Sequence, residues 1–145
     1  MRFLDEVQTN VSGAKQDSVF IKLGDGDSVV GVFSGEPEHA KVKFDNATSK
    51  WVKDESGFRF RLNLVVEDQG VLTAKIFENG AMVYTQLREL NNTGYSLPDI
   101  KVKITRKGLK MDTVYTVLPI PHGELNPEDK RKYAMVPLKD LKWKL

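Results

Sequence analysis

Few residues in this chain are of types that perform chemistry. Cysteine is absent, so no thiolate serves as nucleophile or metal ligand and no disulfide holds the fold, which fits a reducing compartment. The two histidines, His39 and His122, lie near proline or glycine in expected loops. A histidine-based metal site needs two or three ligands at fixed spacing, and this pair does not supply it. Asp25-Gly26-Asp27-Ser28 looks like the opening of a calcium loop, but Val29 and Val30 stand where the EF-hand pattern needs Asp or Asn and then Gly. A tight turn is expected there. Neither a Gly-Lys-Ser/Thr phosphate loop nor a Gly-x-Ser-x-Gly elbow occurs. The carboxylate pairs Glu67-Asp68 and Glu128-Asp129 fall in an expected turn and an expected helix start, where acidic side chains are ordinary. No enzyme activity, cofactor or metal is expected. A nuclease or other enzyme subunit is the weakest alternative, because its metal ligands are missing.

The remaining signal is a pattern of cations and aromatic rings. Arg59 and Arg61, then Lys75 and Phe77, then Lys101 and Lys103 alternate with apolar residues. Successive side chains of a strand point to opposite faces, so each pair is expected on the face away from the core. Lys41, Lys43, Trp51 and Lys53 lie just upstream of the first pair, and Arg106 and Tyr115 belong to a later hairpin. A single strand of nucleic acid offers phosphates to Lys and Arg and unstacked bases to aromatic rings, without any reading of sequence. The same cations also suit a plain solvated sheet face.

These residues require a β framework. Residues 1–19 are polar and aperiodic and are expected to form a loosely held arm. Phe20–Leu23 is expected to be a short strand, followed by the turn Gly24-Asp25-Gly26-Asp27. Ser28–Phe33 is β-rich with a bulge or bend expected at Gly31, Ser34-Gly35-Glu36-Pro37 interrupts it, and Lys41–Phe44 continues it. Phe58–Val66 has the clearest alternation, with Phe58, Phe60, Leu62 and Leu64 facing the core. Val71–Phe77 returns with Leu72, Ala74 and Ile76 expected inside. A helix is expected over Ala81–Leu90, with Tyr84 packing it onto the sheet. Ile100–Thr105 and Asp112–Leu118 form a last hairpin, with Val102 and Ile104 inside. Asn126-Pro127 reads as a helix cap followed by proline in the first turn, and Leu138–Leu145 is a short amphipathic end anchored by Trp143. Five strands with one helix between the third and fourth is the order of an OB fold, a partly open Greek-key barrel. The domain is expected to span residues 20–121, with residues 122–145 packing on it as a C-terminal segment.

The bulk numbers agree. The 145 residues suffice for one ordinary domain, 40% hydrophobic and 29% charged residues describe a globular chain, and no apolar run reaches membrane-helix length. The start, Met1–Glu6, has no apolar stretch, so no signal peptide is expected. The net charge of +2 divides unevenly: residues 1–36 hold three basic and six acidic residues, and the body of the chain carries the basic excess. That asymmetry favours an anionic partner.

Taken along the chain, several stretches together resemble a group of bacteriophage single-stranded DNA-binding proteins. Leu23–Pro37 looks like their opening strand and Phe58-Arg59-Phe60-Arg61-Leu62-Asn63 like the second. Ala74–Gly80 with Val83-Tyr84 resembles the third strand and helix start, and Ile104–Gly108, Asp112–Tyr115 and Leu118-Pro119 resemble the closing hairpin. The similarity covers about residues 20–120. It implies an OB fold that coats single-stranded DNA with little sequence preference during phage replication, recombination or repair, in the cytoplasm of an infected bacterial host and with no membrane association. Proteins of this function commonly recruit replication partners through an acidic tail, whereas residues 139–145 here are basic. The rival reading is a protein-interaction or phage accessory module on the same barrel.

Overall fold

Strand pairing follows from the alternating segments. The computed structural model describes residues 19–145; the expected N-terminal arm lies, but for Val19, outside the described residues. The strands are β1 (Ser28–Ala40), β2 (Val42–Asp45), β3 (Lys50–Lys53), β4 (Arg59–Asp68), β5 (Val71–Gly80), β6 (Ile100–Lys107) and β7 (Val114–Glu124). The helices are α1 (Ala81–Asn92), between β5 and β6, and α2 (Pro127–Ala134), after β7. Strands β4 and β5 join through Gln69-Gly70, whose φ angles of 53° and 82° give the two left-handed residues that a tight, twist-matched hairpin needs. Asn126 caps α2 as its position predicts, its side chain accepting a hydrogen bond from the Asp129 amide at 2.8 Å.

Five strands form one antiparallel sheet in the order β5-β4-β1-β6-β7, and β2 and β3 form a separate two-stranded ribbon. The sheet is not closed: β5 and β7 are its two edges and do not pair. Each edge has other partners. Along β5, Ile21 N–H donates to Ile76 O at 2.8 Å and Ile76 N–H to Val19 O at 2.7 Å, so the expected strand at Phe20–Leu23 is reduced to one parallel bridge. Along β7, the Gln86 side chain of α1 donates to Tyr115 O at 2.8 Å and accepts from Val117 N–H at 2.9 Å. One side-chain amide thus stands in for a strand neighbour and satisfies two backbone groups of an edge that could otherwise attract another chain.

The core lies on one face of this sheet. Phe33, Phe60, Leu62, Leu64, Phe77, Val102, Ile104 and Val117 pack there, closed over by Val83 and Leu87 of α1, with Tyr84 beside them. The break expected at Ser34–Pro37 is instead a bulge inside a continuous β1. Ser34 pairs with Asn63 and Glu38 with Arg61, so β1 spends extra residues there, and Gly35 adopts a φ of 79°. Gly31 marks a close approach rather than a bulge: a Cβ at that position would meet Val65 O at 2.6 Å. The histidines expected in loops lie in β1 and β7. In β5 the expected faces are exchanged. Leu62 pairs with Phe77 and Asn63 with Ile76, so Phe77 joins the core and Ile76 is buried on the opposite face. Among the described residues no helix is long and apolar enough to cross a membrane.

Candidate nucleic-acid interface

The face of β4 opposite the core carries Arg59, Arg61 and Asn63, and the chain after α2 lies across it. Asn63 holds this segment with both ends of its amide, donating from Nδ2 to Lys139 O at 3.2 Å and accepting from Lys139 N–H at 2.8 Å. Arg61 donates from Nε to Glu78 Oε1 at 3.0 Å and from Nη1 to Lys142 O at 3.1 Å. Its guanidinium lies 4.1 Å from the Trp143 ring centroid and 5.2 Å from that of Phe20. Arg61 is only 7% exposed. A charge that deep persists only when paired and hydrogen-bonded, and here a carboxylate, a carbonyl and two ring faces meet it.

Arg59 donates to the other oxygen of Glu78 at 3.2 Å, and its guanidinium stands 5.7 Å from the Trp51 ring centroid. Trp51 and Phe44 are direct cross-strand partners in the β2–β3 ribbon, with centroids 5.4 Å apart and rings nearly perpendicular. Such edge-to-face pairs stabilise a ribbon too short to stand alone. Trp143 meets the far side of the cluster, 6.3 Å from Trp51. Phe44, Trp51, Trp143, Arg61 and Phe20 therefore form a continuous row of rings and one cation. Its open end is Phe44, 46% exposed.

Exposed lysines lie on the same elements, Lys53 on the ribbon face of Phe44 and Trp51, and Lys43 and Lys50 on its opposite face. Lys41 lies just before the ribbon, with Lys139, Lys142 and Lys144 on the overlying segment. Lys41 has an exposed carboxylate, Glu55, at 3.9 Å. Asp54 shapes the loop after β3. Hydrogen bonds from Ser56 Oγ and Ser56 N–H hold its carboxyl below the usual carboxylate range, with a smaller pull from Lys43.

The expected site residues thus separate into two groups. Trp51, Lys53, Arg59 and Arg61 come together, with Lys41 just before the ribbon and Lys43 on its opposite face, though Arg61 is buried beneath the C-terminal segment rather than open to a ligand. The others do not join them. Phe77 is 2% exposed in the core, because its register with Leu62 turns it inward. Lys75 is half-buried on that same face. Lys101 and Lys103 lie on the outer face of β6, two strands from β4, the first half-buried and the second exposed. Arg106 is structural, donating to Leu23 O at 2.6 Å and to Thr113 Oγ1 at 3.4 Å. Tyr115 packs against the core cluster. Sequence reasoning misses Phe44, and also Lys50, Asn63 and the lysines after residue 138. Phe44 is readable in principle: it and Trp51 flank a turn symmetrically, which makes them cross-strand partners.

This arrangement can hold an extended polyanion along the lysines and present rings at its edge. No protein-family model, curated protein or solved structure matches the chain.

Proposed function

We propose that the protein binds single-stranded DNA with little sequence preference, through the β2–β3 ribbon and the adjoining start of β4, and performs no chemistry on it. The observation that carries this reading is the exposed Phe44 ring at the end of the Trp51–Trp143 row, with Lys53 on the same face of the ribbon and Lys43 and Lys50 exposed on its other face. Phosphates are attracted by the cations, and unstacked bases gain contact with the ring. The pairing order supports an OB-type arrangement. Counting only strands of the large sheet, the first lies between the second and fourth, the third and fifth are edges, and the helix follows the third. The resemblance of residues 20–120 to phage single-stranded DNA-binding proteins extends the reading to coating of DNA during replication, recombination or repair in an infected host.

A second reading, a protein-docking module, draws on a different surface. Across β1, β6 and β7 the row Val30, Lys103 and Leu118 faces outward, with Val30 42% and Leu118 59% exposed. Fluorescence anisotropy of a labelled oligo(dT), compared with a duplex of equal length, separates the two. The DNA reading expects clearly tighter binding of the single strand at moderate salt. Equal affinities would indicate a mere polycation surface, and no binding of either would leave the docking module.

A further inference from the structure

We infer that residues 139–145 are part of the DNA-contacting surface rather than a cover over it. This rests on the single-stranded DNA reading above and adds a second wall to the site. The segment is fixed by its backbone. Asn63 grips Lys139 through two hydrogen bonds, and Arg61 holds the Lys142 carbonyl at 3.1 Å and has the Leu141 carbonyl at 3.5 Å. With the main chain held, the side chains alternate as in a strand. Leu141 is buried and Trp143 half-buried against Arg61 and Trp51, while Lys142 and Lys144 point to solvent and Lys139 is exposed.

Charge decides between a cover and a contact surface. A segment that competed with DNA for a cationic groove would carry carboxylates to mimic phosphates. Residues 139–145 hold three lysines and one aspartate, and the aspartate is engaged locally, its Oδ1 accepting from Lys142 N–H at 3.1 Å. The segment therefore adds to the positive field beside the ribbon instead of neutralising it. Its tethering also means that little ordering entropy remains to be lost when a polyanion lies along it.

The test is a triple substitution, Lys139→Gln, Lys142→Gln and Lys144→Gln, in the full chain. All three side chains are exposed and Lys139 and Lys142 make their structural bonds through the backbone, so the fold is retained; circular dichroism verifies this. Oligo(dT) affinity is measured for parent and variant across a salt series. Each lysine that no longer neutralises a phosphate lowers the slope of log affinity against log salt by about 0.7, so the slope falls by ~2 and affinity near 0.1 M salt drops by roughly 10- to 100-fold. A variant with the parent's affinity and slope shows the lysines to be bystanders, and a tighter-binding variant makes the segment a competitor; either overturns the inference while leaving the DNA reading intact. A parent that does not bind oligo(dT) overturns both.

Discussion

Arg61 sits in the strand pattern of a DNA-contacting residue, yet its surroundings give it a different task. Replacing it with Met keeps the long stem but removes the guanidinium. Glu78, whose side chain is 14% exposed, then keeps only Arg59 as a cationic partner among the described residues, and the Lys142 carbonyl loses the Arg61 donor. Breaking a buried ion pair from one side costs about 3–5 kcal/mol. The remaining Arg59 contact, at 3.2 Å, offsets part of the penalty on Glu78, so we expect the low end, ~3 kcal/mol. At about 2–4 °C per kcal/mol for a domain near this size, that is a loss of roughly 6–12 °C in Tm. Urea unfolding followed by circular dichroism measures the stability. A second variant, Arg61→Met with Glu78→Gln, removes the stranded charge and should recover a substantial part of the loss. A single variant within 0.5 kcal/mol of the parent (roughly the ordinary scatter of surface substitutions) would refute the assignment of Arg61 as the clasp of the C-terminal segment.

Three further substitutions separate fold from function. Phe77→Ala should destabilise the protein by about 3–5 kcal/mol, because the ring is buried against Phe33 and Phe60; a folded variant with parental stability would contradict the β4–β5 register. Gln86→Leu should cost about 1–3 kcal/mol in chemical denaturation, since it strands Tyr115 O and Val117 N–H at the sheet edge, and it should raise self-association detected by light scattering. Phe44→Ala should cost about 0.5–1.5 kcal/mol of stability through the lost Trp51 contact and, in the folded protein, weaken oligo(dT) binding by about 1–3 kcal/mol with an unaltered salt slope, as expected for a ring that stacks on a base and releases no counterion.

How much of the fold and site is legible in the sequence depends on which forces the pattern encodes. The alternation of Phe58–Val66 is informative because one of its faces is uniformly large and apolar, and Phe60, Leu62 and Leu64 are buried as that pattern requires. The same period of two cannot choose the core face of β5. There Ala74 and Ile76 compete with Phe77, and both faces of the strand are covered in the fold, so the pairing of Leu62 with Phe77 settles what alternation leaves open. The interruption at Ser34–Pro37 resembles a strand end, because glycine and proline mark both turns and bulges. Alternation puts Arg61 on a solvent face for a similar reason. Its neighbours Leu141 and Lys142 lie 80 and 81 positions away in sequence, and local spacing carries no information about a segment returning from that distance. The Asn126 cap and the Phe44–Trp51 pair, by contrast, are written within a few residues of one another.

The chain contains two tryptophans, Trp51 and Trp143, and both belong to the ring row beside the ribbon. Intrinsic tryptophan emission therefore reports on the proposed site and on little else, which makes titration of the full chain with unlabelled oligo(dT) the sharpest test of single-stranded DNA binding at the ribbon. Binding there should give a saturable change in emission whose midpoint matches the affinity measured by anisotropy, and that affinity should fall in the Phe44→Ala variant. Oligonucleotide binding detected by anisotropy with no change in tryptophan emission would place the DNA elsewhere on the molecule and rule out the ribbon as its site.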